Sequence, residues 1–358
     1  MYPRVEVDIE KLRKNAEIIT GICHENGITV AGVIKVCNGM PECAKALAEA
    51  GCDAIASSRL RQLIPLAESG IGKPLMLIRI PMLSEVPDLV KYVDSSLNSD
   101  IDVIRKIDEE AGKTGKKHDV ILMIELGDLR EGVYEEAEYI AIACETEAME
   151  NVELKGVGTN LGCYGSIDPT SEKLEELVSA AEKIEEAIGR KLDIISGGGT
   201  TSFPRVVDGD MPKRINHLRI GEGIFNNRDL NELYGYEFKG SWNDVFTLKA
   251  EVIEVRVKPS HPIGNIAFDA FRNKPTYVDR GDRKRVLLAL GKVDYAYLDQ
   301  IIPRDNGVEV LGASSDHTIL DVEDAEREYK AGDIVEFDLN YASVALITGF
   351  AGIDKVIV

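Results

Sequence analysis

Apolar and polar positions change rhythm near residue 240. Before that point, short apolar runs alternate with longer stretches whose apolar residues recur three and four apart. The runs TVAGVIKV, DAIAS, PLMLIRI, SSLNS, DVILMIEL, VELKGVGTN, LDIISGG and INHLRIG predict eight strands. Between them, PECAKALAEAG, RLRQLIPLAESG, IDVIRKIDEEAGKTG, YEEAEYIAIACETEAME and SEKLEELVSAAEKIEEAIG carry the helical period, and several end in glycine. Strand–helix alternation at this spacing implies parallel pairing through right-handed crossovers. Eight such units predict an α/β fold, a closed (β/α)8 barrel of the TIM type. A doubly wound open sheet is the rival, but a GxGxxG turn after the first strand is absent.

After residue 238 the texture turns mostly to strand. DVFTLKAEVIEVRVK, PTYVD, KRVLLALG, GVEVLGAS, HTILDV, AGDIVEFDLN and DKVIV are separated by turns with little helix between them. The expected division is a barrel over 1–238 and a smaller, mostly-β C-terminal domain over 239–358. The opening VEVDIEKLRKNAEIITGICHENG reads as a strand and a helix that could touch either one.

Composition narrows the function. The net charge of −20 repels nucleic acid and anionic membranes and suits a cationic substrate. Six cysteines form no CxxC pair and have no histidine cluster beside them, so reduced cysteines used as small hydrophobes are expected, with no metal site and no disulfide framework. MYPRVEVDIEK has no apolar signal region and no run reaches the length of a membrane span, so a cytoplasmic protein is expected.

The candidate chemistry lies where barrel strands end, since those ends face a barrel's active site. Lys35 closes the first strand-like run, in AGVIKVCNG. It reads equally as a lysine snorkelling from the barrel mouth or pairing with an acid, and as an amine that forms a Schiff base with an aldehyde cofactor. SGGGTT, residues 196–201, follows the seventh run, where barrels commonly hold phosphate. Ser196, Gly199, Thr200 and Thr201 are its candidate contacts, against the plain alternative of a flexible turn. RIGEG ends the eighth run and offers Gly221, Gly223 and an inward Arg219, for which an ion pair with a barrel glutamate is the alternative. A strand-one lysine, a strand-eight arginine and two glycine turns are together the parts needed to hold pyridoxal 5'-phosphate.

Those segments resemble the pyridoxal-phosphate-dependent alanine racemase-like enzymes, fold type III, over nearly the whole chain. VEVDIEKLRKNAE is similar to the family's opening strand and helix, and VIKVCNG to the segment bearing the Schiff-base lysine, which gives that role to Lys35. ELGDLREG resembles the segment whose arginine approaches the cofactor's phenolic oxygen, implying Arg130. GVGTNLGCYG puts Asn160 where alanine racemases usually have histidine. HLRIGEG implies that Arg219 faces the pyridine nitrogen. ALGKVDY and LGASSDHTILDV occupy the places of two β-domain motifs that reach the other subunit's active site, so the resemblance implies a homodimer with shared sites.

The implied activity is racemisation of an amino acid by α-proton abstraction. LGASSDHTILDV and GVGTNL look most like the members that act on ornithine; alanine or another amino acid is the alternative. The tyrosine expected as second base is replaced by Lys292, with Asp294 and Tyr295 nearby, and Gly39 stands where a tyrosine usually follows the lysine. Lys35 would serve one face of the substrate, and Lys292 or Asp294 of the partner subunit the other. Asp316, with His317, could bind a second substrate amine, as could Asp294, against the ordinary reading of Asp316 as an aspartate capping a turn. Rival readings are a non-catalytic carrier of the cofactor, an aldolase or decarboxylase on the same scaffold, and a barrel without the cofactor. About 120 residues beyond the barrel count against the carrier.

Overall fold

Each of the eight apolar runs supplies one strand of a closed parallel barrel in the computed structural model, which describes all residues from Met1 to Val358. A first strand, β1 (Arg4–Val7), and helix α1 (Ile9–Glu25) precede the barrel. The barrel strands are β2 (Thr29–Val33), β3 (Ala54–Ser57), β4 (Leu75–Leu77), β5 (Ser95–Asn98), β6 (His118–Met123), β7 (Val152–Gly158), β8 (Ile194–Ser196) and β9 (His217–Ile220), with β9 returning to β2. The longer crossover helices start on caps the sequence supplies. Asp100 accepts from the backbone N–H of Asp102 at 2.9 Å and Val103 at 3.2 Å, and Thr170 from Lys173 at 3.2 Å, which satisfies donors that a helix start leaves open.

Alternate strand residues fill the barrel. Ala31, Val33, Ala56, Met76, Leu97, Ile121 and Met123 form one buried cluster. Ala31 stands in register with Arg219, so Arg219 points inward too, and His217, two residues earlier on β9, shares its face. The chain leaves the β2 ladder at Val33, earlier than the apolar run predicts. Ile34 N still donates to Ala56 O on β3, but Asn38 N donates to Lys35 O, Gly39 N to Ile34 O and Met40 N to Cys37 O, so local turns replace strand pairing from Lys35 onward.

The chain divides into two compact units, Ile9–Asn243 and a second made of Met1–Asp8 with Asp244–Val358. In the second unit, β1 pairs antiparallel with the long β10 (Phe246–Pro259) and parallel with the last strand (Asp354–Ile357). From β10 the sheet continues through β11 (Asp282–Leu288), β12 (Ile301–Pro303), β13 (Glu309–Ala313), β14 (Thr318–Asp321) and β15 (Ile334–Leu339), in the order β12-β15-β10-β11-β14-β13. Neighbours along that path are antiparallel. Two expectations fail here. PTYVD forms no strand, and Tyr341–Gly349 is a helix. That helix is apolar almost throughout and rich in residues that equally favour strands, so it lacks the one-sided stripe that announces a helix.

Candidate active site

The barrel unit places most of the expected residues at the C-terminal strand ends. Arg219 is 5% exposed. Its Nη1 donates to Ser196 Oγ and its Nη2 to the Thr159 carbonyl at 2.7 Å. Burial pushes its pKa down to about 10, with Arg130 adding to the fall and Glu131 opposing it; the guanidinium is still a cation at neutral pH. The ion pair with a barrel glutamate that sequence reasoning allowed does not form: both direct partners are neutral oxygens.

Loops after β8 and β9 are tied together. Gly197 N donates to His217 O at 3.0 Å and Arg219 N to Gly198 O at 2.9 Å. Gly198 has φ +117°, and a Cβ there would stand 2.6 Å from Ser202 Oγ, so only glycine fits the turn. Thr200 Oγ1 accepts from Gly223 N at 3.2 Å, which joins the two glycine turns, and Thr201 Oγ1 donates to Leu161 O at 3.0 Å. Gly199, Thr200 and Gly221 therefore line one corner of the mouth, where the N–H groups that begin Thr200–Ser202 and Glu222–Phe225 have no acceptor within their own turns.

Glu222 was not foreseen. It follows Gly221 directly, its Oε2 is buried without a hydrogen-bond partner, and Oε1 accepts from Asp229 N at 3.3 Å. Burial, with the Asp229 charge adding to it, pushes its pKa up to about 8. A neutral carboxyl does not repel an anion held at the neighbouring glycine turn.

Loops after β6 and β7 are fastened by Asp128, another residue the sequence reading passed over. Its fully buried carboxylate accepts from Tyr164 N at 3.0 Å and Ile167 N at 3.5 Å. Burial raises its pKa, but backbone N–H donors outweigh that and leave it below the usual value. Arg130 is fixed on that loop by Glu131, and its Nη1 donates to Cys163 Sγ at 2.9 Å. Cys163 and Cys144 are exposed, so only Cys23, Cys37, Cys43 and Cys52 act as the buried hydrophobes expected of all six. Asn160, just beyond β7, has a buried Nδ2 with no partner, as does the Oγ1 of Thr159. Lys35 is exposed on the turn after β2, not on the strand, and two residues beyond the inward Val33.

Lys292, Asp294, Asp316 and His317 lie in the second unit, where two loops bring them together. Lys292 N donates to Ser314 O at 2.9 Å and Val293 N to Ser315 O at 3.2 Å. A Cβ on Gly291 would stand 2.0 Å from Ser315 O, so this approach requires glycine. Asp294 Oδ2 accepts from Gly291 N at 2.8 Å, and burial raises the Asp294 pKa. Lys292 Nζ lies 4.3 Å from the centre of the Phe271 ring. Asp316 is exposed and accepts from Ser315 Oγ at 2.5 Å, and His317 N donates to Ser314 Oγ at 3.2 Å. Tyr295 is fully buried, and its hydroxyl donates to Thr318 Oγ1 at 2.8 Å, because the Thr318 proton goes to Leu290 O.

The barrel residues fit a phosphorylated pyridine aldehyde. Orphaned polar atoms on Thr159, Asn160 and Glu222, an inward cation and two glycine turns supply donors, and the Glu131 carboxylate nearby is paired with Arg130. No helix is long and apolar enough to cross a membrane.

Residues 7–229 match the family described as alanine racemase, N-terminal domain. An ornithine racemase from Acetoanaerobium sticklandii is 41% identical over 350 residues, 98% of this chain and 97% of that protein. A lysine racemase from Thermotoga maritima is 40% identical over 344 residues, 96% and 94% of the two chains. Among solved structures, an alanine racemase from D-cycloserine-producing Streptomyces lavendulae superposes with a TM-score of 0.76 at 17% identity, covering 100% of this chain and 98% of that one. A D-threonine aldolase from Filomicrobium marinum gives 0.74 at 15% identity, covering 97% and 89%. Racemase and aldolase share the fold, so fold alone does not choose the reaction.

Proposed function

This chain belongs to the alanine racemase family and is an amino-acid racemase, and from that premise we propose that its substrate is a diamino acid, ornithine first and lysine second. The observation that carries the reading is end-to-end likeness to two racemases of diamino acids. The family uses pyridoxal phosphate, and the barrel residues fit it. When bound, that cofactor supplies an electron sink that acidifies the Cα–H bond of an amino acid.

The residues of this chain then divide the work. Lys35 would anchor the aldehyde through its amine, and the same amine would take the Cα proton from one face of the substrate. Arg219, a cation at neutral pH, would donate to the ring nitrogen and so disfavour a proton there. Ser196 holds Arg219 in place. Gly199, Thr200, Thr201 and Gly221 would hold the phosphate, while Arg130 and Asn160 would face the rest of the cofactor. Lys292 or Asp294 of the partner subunit serves the opposite face of Cα in a homodimer with shared sites. Asp316, supported by His317, receives the distal ammonium of the substrate.

The test is chiral chromatography of L-ornithine, L-lysine and L-alanine incubated with protein reconstituted with pyridoxal phosphate. D-ornithine or D-lysine should form at least about tenfold faster than D-alanine, the ratio one charge-assisted contact provides. Alanine turning over fastest would sink the diamino-acid reading.

A further inference from the structure

Ser196 Oγ stands between two groups on the neighbouring strand. Arg219 Nη1 donates to it, and His217 Nδ1 lies 2.7 Å away. All three side chains are buried: Ser196 is 0% exposed, Arg219 5% and His217 6%. The line crosses the barrel wall where β8 and β9 pair, since Ser196 and His217 are themselves the register partners.

The directions of these bonds follow from what each group can do. Arginine has donors only, so the serine oxygen accepts from it. The serine oxygen bonds only these two groups, so its proton finds an acceptor only if Nδ1 of His217 is the bare nitrogen. His217 is therefore the neutral tautomer with its proton on Nε2. Its surroundings agree: burial and the Arg219 cation both oppose protonation, against a weaker opposite pull from Asp53.

We infer that His217 is the positioning residue for Arg219: by accepting the Ser196 hydroxyl proton it fixes the serine oxygen as an acceptor, and with it the stance of the guanidinium. The inference rests on the reading above in that Arg219 faces the cofactor ring. Without an acceptor at Nδ1, the Ser196 hydroxyl turns to present its proton elsewhere, and Arg219 keeps only the Thr159 carbonyl as a firm partner.

The experiment compares His217→Leu, which removes the acceptor, with His217→Asn, whose Oδ1 falls near the lost Nδ1. In the cofactor-loaded protein, His217→Leu should lower kcat about tenfold with KM within about threefold, and should shift the visible absorbance of the bound cofactor. His217→Asn should recover most of both. A second readout uses the cofactor-free protein: nitrogen-15 NMR of histidine should show Nδ1 of His217 unprotonated from pH 5.5 to 8.5. Equal damage in both variants, no change in His217→Leu, or a protonated Nδ1 would overturn the inference. Should His217→Leu not fold, Ser196→Ala breaks the same line from the other side and should shift the same absorbance. If the wild type binds cofactor but racemises nothing, the proposed function fails, while the NMR and absorbance results still decide the role of His217.

Discussion

Nη2 of Arg219 donates to the carbonyl oxygen of Thr159 over 2.7 Å, and no carboxylate bonds to the guanidinium. A buried cation held only by neutral oxygens is a costly arrangement, and it makes sense where the charge must face something else.

If that something is a ring nitrogen, Arg219→Glu reverses the local logic, because a carboxylate favours a protonated nitrogen and a stronger electron sink. The variant should gain absorbance at long wavelength and form keto acid by transamination at least about tenfold more often per racemisation event, a shift of one pKa unit's worth of energy. Spectra and a keto-acid assay measure both. An unchanged spectrum and product mix would remove Arg219 from the control of reaction choice.

Glu222 yields a pH prediction. Its pKa in the folded protein, about 8, lies above the ordinary glutamate value of 4.5. Between those values the folded chain keeps a proton that the unfolded chain has lost. Its contribution to stability is thus full below pH 4.5, declines as pH rises and is gone above about pH 8. Glu222→Gln should flatten that slope in melting temperatures of the cofactor-free protein. Inorganic phosphate should also bind the variant equally at pH 7 and pH 9, while its affinity for the wild type falls over that interval. Parallel curves would place the Glu222 carboxyl outside the phosphate corner.

The second base can be told apart from its neighbour. Lys292→Met and Asp294→Asn each remove one candidate while keeping roughly its volume. The variant lacking the true base should lose interconversion by about 10²-fold or more, yet still exchange the α-proton of one enantiomer with solvent through Lys35. NMR in D2O on each enantiomer separately reads this. Full interconversion in both variants would send the search beyond this loop.

Asp316 is exposed, with its Oδ2 held by Ser315 at 2.5 Å. A charge-assisted contact with a distal ammonium is worth about 1.5–3 kcal/mol. Asp316→Asn should accordingly raise KM for ornithine roughly tenfold or more and leave KM for alanine within about twofold. Equal changes for the two substrates would mean that Asp316 serves its turn and not the substrate.

Much of the fold was legible because barrel strands are short apolar runs with one fixed partner helix each. Eight runs became eight strands. The second unit was harder to read. Strand Arg4–Val7 pairs with partners near Phe246 and Ile357, which no local pattern connects to it, and helix Tyr341–Gly349 is too uniformly apolar to show a period. At the site, the glycine turns and Arg219 stood out through residue type and place in the strand order. Lys35 was singled out by its place in the run, though the run outlasts the strand by several residues. His217 and Glu222 gave no signal of their own. A histidine within a strand and a glutamate between glycines are ordinary residues until burial and a bonded neighbour give them a role. Asp128 was missed for the same reason: its four-residue neighbourhood is an ordinary loop, and its backbone partners lie more than thirty residues away.

The proposed activity stands or falls with Lys35 as the base that removes the α-proton of a diamino acid. Protein loaded with pyridoxal phosphate in D2O, with loss of the α-proton NMR signal followed on L-ornithine, L-lysine and L-alanine, tests it most directly. Rapid exchange on a diamino acid, slow exchange on alanine, and a loss of at least about 10³-fold in Lys35→Ala are the predicted results. Exchange that survives in Lys35→Ala, or none on any amino acid in a protein that holds the cofactor, would contradict the account.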